Sequence, residues 1–223
     1  MPSPAHPFAH VLWLGGPPDS GKTSVAALLA ERHGARVYHF DRHERAHLDR
    51  ADPQRHPDLA RLRAQIGALT ERELAHELWL AHPPEVMASW TIACWSQRVE
   101  LAVADLRAMP ASAPIIAEGP GFFPDAVFPH LADPRRAIWL LPTEDFKRSS
   151  ATRRDKPGAR HLTADPDRAQ EHLIRRDLLL GEHIRQRVAA LDLSALEIDG
   201  SRTLEEIATV VAARFAPWLG VRG

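Results

Sequence analysis

Gly16-Pro17-Pro18-Asp19-Ser20-Gly21-Lys22-Thr23 satisfies the pattern G-x-x-x-x-G-K-[ST] and governs how the rest of the chain is read. The apolar run Val11-Leu12-Trp13-Leu14 precedes it, and Ser24-Val25-Ala26-Ala27-Leu28-Leu29-Ala30 follows with helical character. The stretch therefore falls at a turn between a buried strand and a helix N-terminus. Such a turn aims consecutive backbone N–H groups inward, and the positive end of the helix dipole adds to them, which makes a nest for phosphate oxygens. The Lys22 ammonium then reaches the outer phosphates of a nucleotide, and the Thr23 hydroxyl ligates Mg²⁺. Gly16, Pro17, Pro18, Ser20, Gly21 and Ser24 complete the candidate phosphate-binding perimeter. Asp19 is the anomaly, because a carboxylate beside phosphates is repelled unless it turns outward or helps to hold the metal or the acceptor.

Outward from this loop, four more strand-like runs alternate with helical stretches: Arg36–Phe40, Ile115–Ala117, Ala137–Leu141 and Leu196–Ile198. Strands separated by helices imply parallel βαβ units with helices on both faces of one five-stranded sheet. Helix starts are marked by Thr70 with Glu73 and Thr203 with Glu206, both fitting the capping box, by Asp165 before Pro166, and by Thr143. Between the second and third strands about seventy residues intervene, far more than a single crossover helix needs. Most look helical: Leu59–Leu69, Glu71–Ala81 and Glu85–Met109. The expected organisation is a single domain over 1–223, with a helical acceptor-binding insert at 42–110 and a lid at 146–165 after the fourth strand.

The 223 residues, 44% apolar, are enough for one well-buried core with insertions. A net charge of −1 gives no basic field for nucleic acid, and no apolar run approaches membrane-spanning length. Cys94 stands alone and Met1-Pro2-Ser3-Pro4 does not read as a signal peptide, so a reducing cytoplasm is the expected setting. A monomer or homodimer is expected. Of the 28 basic residues only Lys22, Lys147 and Lys156 are lysines. Arginine suits fork-like phosphate recognition, although a GC-rich coding bias produces the same excess.

The loop and the acidic residues that follow the strands resemble the small-molecule and nucleotide kinase branch of P-loop proteins. Shikimate kinase, nucleoside monophosphate kinases and chloramphenicol phosphotransferase belong to it. The resemblance covers nearly the whole chain in layout and is motif-specific only at the loop. It implies ATP or GTP with Mg²⁺ as donor and a small-molecule hydroxyl, on a sugar, nucleoside or antibiotic, as acceptor. Asp41 takes the position from which such kinases orient or deprotonate the acceptor; otherwise it caps the following helix. Glu118 resembles the carboxylate that supports Mg²⁺ through water, and it also has the option of facing the acceptor. Gly119 and Gly121 would let a ligand approach the backbone, and Phe122 and Phe123 either wall the acceptor pocket or join the core. Gly200 and Ser201 resemble the loop beside the nucleobase.

The stretch from Phe146 to Gly158 resembles a kinase lid, with Arg148, Arg153 and Arg154 placed either to neutralise transferring charge or to form a solvated basic face. Asp177 interrupts the stripe Leu173, Leu180, Ile184, Val188 and Leu191 beside Arg176. A carboxylate there needs a partner, and an arginine from the lid or the preceding turn is expected. In the insert, Trp79, Trp90, Trp95 and Arg98 form an aromatic wall with a basic tip or else belong to the core. Arg45 and Arg98 are the candidate phosphate ligands should the acceptor be a nucleoside monophosphate. A non-catalytic nucleotide switch is the third reading, which Glu118-Gly119-Pro120-Gly121 fits poorly. His43-Glu44-Arg45-Ala46-His47 matches the zinc helix pattern H-E-x-x-H, but its arginine-rich surroundings point to a mobile acceptor loop instead.

Overall fold

Strand β1 (Val11–Gly15) runs straight into the glycine-rich loop, and helix α1 (Lys22–His33) leaves it. The computed structural model describes residues 6–153 and 159–219. The remaining strands are β2 (Arg36–His39), β3 (Ile115–Glu118), β4 (Ala137–Pro142) and β5 (Ala195–Ile198). All pair in parallel in the order β2-β3-β1-β4-β5, so β1 lies in the middle with the loop at its C-terminal end. The fold is α/β, and each of the five expected strands is present.

Alternation along the three central strands divides the core in two. Val11, Trp13, Ile115, Ala117, Trp139 and Leu141 pack into one cluster. Leu12, Leu14, Ile116, Ile138 and Leu140 pack into the other. Every residue of β1, β3 and β4 is buried, as continuous apolar strands covered on both faces must be. One face is closed by α1 and α9 (Leu204–Phe215). The other is closed by α5 (Pro84–Ala108) and α8 (Pro166–Ala190). Both capping boxes form, Asp165 accepts from Arg168 N–H, and Thr143 Oγ1 accepts from Phe146 N–H at 3.3 Å.

The insert opens with a 3-10 turn, Asp41–His43, and the short helix α2 (Glu44–Asp49). It continues through α3 (Pro57–Ala68), α4 (Glu71–Trp79) and the long α5. The stretch expected to be a mobile His/Arg-rich loop is instead a turn and a helix, fastened by a buried polar network. His47, with no exposed surface, lies 3.2 Å from Tyr38 Oη and 3.0 Å from Asp105 Oδ2, while Tyr38 donates to the same carboxylate oxygen at 2.9 Å. Burial pulls His47 down to about 4, so it stays neutral at ordinary pH. His43 stacks on Tyr38 with centroids 4.3 Å apart. Both histidines of the H-E-x-x-H match thus have protein partners, His43 in Tyr38 and the His39 carbonyl, His47 in Tyr38 and Asp105. The short helix α6 (Pro124–Val127) follows β3, and after β4, α7 (Glu144–Arg153) lies against α8. Arg154, Pro157 and Gly158 of the expected lid lie outside the described residues, as do the Arg153 side chain's surroundings. Among the described residues no helix is long and apolar enough to cross a membrane.

Candidate functional site

A cleft of about 380 Å³ opens at the C-terminal end of β1 and β3. Its floor is the loop from Pro18 to Ser24, and its walls carry Asp41, Glu118, Trp95 and Arg176. Gly16 and Gly21 have φ of 133° and 88°, a region that L side chains avoid. A Cβ on Gly16 would lie 2.2 Å from the Leu140 carbonyl oxygen, whereas one on Gly21 would meet nothing within 4 Å. The first glycine is thus required by packing beneath the loop, and the second leaves backbone open beside the N-terminus of α1.

Lys22 is buried, its ammonium donating to the Pro17 carbonyl at 2.8 Å and to Ser20 Oγ at 3.0 Å. Burial lowers its pKa to about 8, against the opposing pull of Glu118, Asp41 and Asp19. Thr23 Oγ1 donates to Glu118 Oε2 at 3.1 Å, and His39 Nδ1 sits 2.7 Å from Glu118 Oε1. A hydroxyl and a carboxylate on adjacent elements are hard oxygen ligands of the sort Mg²⁺ takes, directly or through water.

Asp41 stands at the mouth of the cleft, one residue beyond Phe40, whose N–H continues the sheet by donating to Glu118 O at 2.9 Å. Crowding by protein raises its carboxyl above the ordinary range, with Lys22 and Arg98 opposing the shift. Its turn is held from below. Arg98 is 1% exposed, stacks over the Phe40 ring at 4.1 Å, donates to Phe40 O at 2.9 Å and pairs with Glu44 at 3.2 Å.

The structure gathers Asp19, Ser20, Gly21, Lys22, Thr23, Ser24, Asp41, Trp95 and Glu118 around this cleft. Other candidates lie elsewhere. Arg98 is spent on Phe40 and Glu44 beneath the cleft, so it is a support rather than a ligand. Arg45 pairs with Asp49 on the outer side of α2, its side chain 78% exposed. Phe122 is fully buried between Trp13 and Phe40. Gly119 and Gly121 serve packing too, since a Cβ on either would meet the Phe40 side chain at 2.3 Å. Gly200 and Ser201 sit on the exposed loop after β5, with Gly200 close to Phe146 and Ser201 bonded to Asp199. Arg148 pairs with Glu144 at 2.8 Å and with Glu171 at 3.0 Å, tying α7 to α8.

Three contributors are added. Lys147, on α7, is 2% exposed and donates to Asp19 Oδ2 at 2.9 Å, to Asp177 Oδ2 at 2.6 Å and to the Pro18 carbonyl at 3.2 Å. The partner of Asp177 from the lid helix is therefore a lysine, and Arg176 supplies the expected guanidinium through Asp177 Oδ1. This resolves Asp19, which turns to Lys147 and takes a φ of 64°. Arg176 also lines the cleft, and His39 supports Glu118. The scarcity of lysine was the available signal: one of three in the chain is in the loop and a second is fastened to it.

No protein-family model matches the chain, and no curated protein matches it. A solved structure, that of TT1252 from Thermus thermophilus, superposes with a TM-score of 0.53 at 20% sequence identity, covering 94% of this chain and 98% of that one. At that identity the likeness concerns architecture alone: the chain has an α/β fold built on a five-stranded, wholly parallel sheet.

Proposed function

We propose that the chain is a phosphotransferase of the P-loop kinase kind, moving the terminal phosphoryl group of Mg²⁺-bound ATP or GTP to a hydroxyl of a small molecule. The observation that carries this is the meeting in one cleft of Lys22, the Thr23–Glu118 pair and the open carboxylate of Asp41. Thr23 and Glu118 would hold Mg²⁺, which when bound offsets phosphate charge and fixes the donor's orientation. Lys22 brings a buried positive charge to the side where the transferring group gathers negative charge. Asp41 aims the acceptor hydroxyl and takes its proton as the new P–O bond forms and the donor's P–O bond breaks; a carboxyl raised by crowding is the better base. A reducing cytoplasm suits a chain with one cysteine.

A nucleoside monophosphate acceptor would need cations at liberty to take its phosphate. Arg45 lies on the exposed face of α2 and does not line the cleft, and Arg98 is bonded to Phe40 beneath it, which weighs against that reading. Purified protein should gain several degrees in Tm with Mg²⁺ and ATP or GTP, because a ligand stabilises the state it binds. Lys22→Met should abolish the shift and cut any transfer by about 10²–10³-fold or more. A variant that processes nucleotide as fast as the parent would remove the reading.

A further inference from the structure

Next to the cleft, and sharing Glu44, Trp79, Trp95 and Arg176 with it, lies a second cavity of about 260 Å³. It is lined by residues of α2, α3, α4, α5 and α8. Its lining is mainly apolar and includes Trp79, Trp90, Trp95, Met87, Leu62 and Ile66. The charged groups on its rim are all engaged with protein. Asp58 accepts from Gln97 at 2.8 Å and pairs with Arg61 at 3.0 Å. Glu44 pairs with Arg98, and Arg176 gives Nε and Nη2 to Asp177. Arg61 and Arg176 lie over the rings of Trp90 and Trp79, each 5.3 Å from the centroid. A charged occupant would lose its hydration and find each opposite charge already paired, a costly exchange.

We infer that this cavity selects the acceptor, and that the acceptor is an uncharged alcohol on a compact aromatic or branched apolar body. This rests on the phosphotransferase reading above. The volume falls just below the roughly 300–1,000 Å³ of pockets for drug-sized ligands, which sets the body's size. The body is enclosed by the tryptophans, and the shared wall of Trp79 and Trp95 leads the hydroxyl towards Asp41. Trp79, Trp90 and Trp95 are thus specificity residues.

Three probes with one body separate charge from shape: 3-phenylpropan-1-ol, 3-phenylpropanoate and 3-phenylpropylamine. Each is titrated by intrinsic tryptophan fluorescence into the nucleotide-free protein and into Lys22→Met, so that the readout does not depend on transfer. The alcohol should saturate and bind at least about tenfold tighter than either charged analogue. Trp90→Ala should weaken the alcohol about tenfold or more, with cooperative thermal unfolding as the check that the variant is folded. Ile66→Trp, which fills the cavity from another wall, should do the same. A charged analogue binding as well as the alcohol, absence of saturation, or alcohol affinity unmoved in both variants overturns the inference. Loss of alcohol binding with nucleotide-dependent transfer to other hydroxyls intact also overturns it, and leaves the kinase reading standing. Retained alcohol binding without any transfer supports the cavity assignment and removes the kinase reading instead.

Discussion

The loop and the insert border the same cleft but are built in opposite ways. On the loop side, the cleft is shaped by backbone geometry and a few charges at fixed spacing: positive φ at Gly16 and Gly21, Lys22 held by Pro17 and Ser20, Thr23 against Glu118. On the insert side it is shaped by which faces of five helices turn inward, and the outcome is a tryptophan-lined cavity with its charges paired off. The first kind of site is written locally in the sequence. The second is written across residues far apart in the chain.

Experiments can strain this contrast in decreasing order of effect. Asp41→Asn keeps the shape of the turn and removes the base, so transfer should fall about 10²–10⁴-fold while nucleotide affinity holds within a few-fold. Steady-state kinetics beside direct nucleotide binding checks this, and undiminished transfer would detach Asp41 from the chemistry. Lys147→Met strips the ammonium from Asp19 and from buried Asp177. Breaking a buried pair on one side costs about 3–5 kcal/mol, to be read by denaturant unfolding. Adding Asp177→Leu should recover part of the loss, and a single variant as stable as the parent would show the bridge to be dispensable.

The pH dependence of nucleotide binding comes next. In the free protein Lys22 is an ammonium below about pH 8 and loses its proton above it, whereas bound phosphate keeps it charged. Affinity should therefore be flat below that point and fall up to about tenfold per pH unit above it. Calorimetry across pH 6.5 to 9.5 measures this, and Lys22→Arg should remove the break. The smallest effect belongs to Cys94, a lining residue of the cavity, whose thiol burial pushes up to about 11. Alkylation should be slow at pH 8, quicken as pH rises towards that value, and be slowed further by a bound alcohol. Labelling as fast as a free thiol would mean that the chamber is open.

The same contrast explains what the sequence made legible. Strand alternation and the two capping boxes are local signals, and each of these elements formed. Trp79, Trp90 and Trp95 read from the sequence either as an acceptor wall or as core; the structure brings all three to the lining of one cavity. Arg98 and Phe122 were not placed correctly, because a helix face or a post-strand residue is assigned only by its distant partner. Arg98 bonds to Phe40, 58 residues away, and Phe122 is enclosed by Trp13 and Phe40. His47 meets Asp105 across 58 residues, which made a zinc-like spacing out of a packing network. Lys147 reaches Asp19 across 128 residues, so the loop's odd carboxylate could not be explained from its neighbours in the chain.

The single carboxylate of Asp177 is gripped at one oxygen by Arg176, which borders both cavities, and at the other by Lys147, which holds the loop. A ligand that displaced the guanidinium would change the field at the ammonium and so the hold on Asp19. If the proposed donor and acceptor bind as inferred, this chain of four side chains would couple their occupancy without a large domain swing.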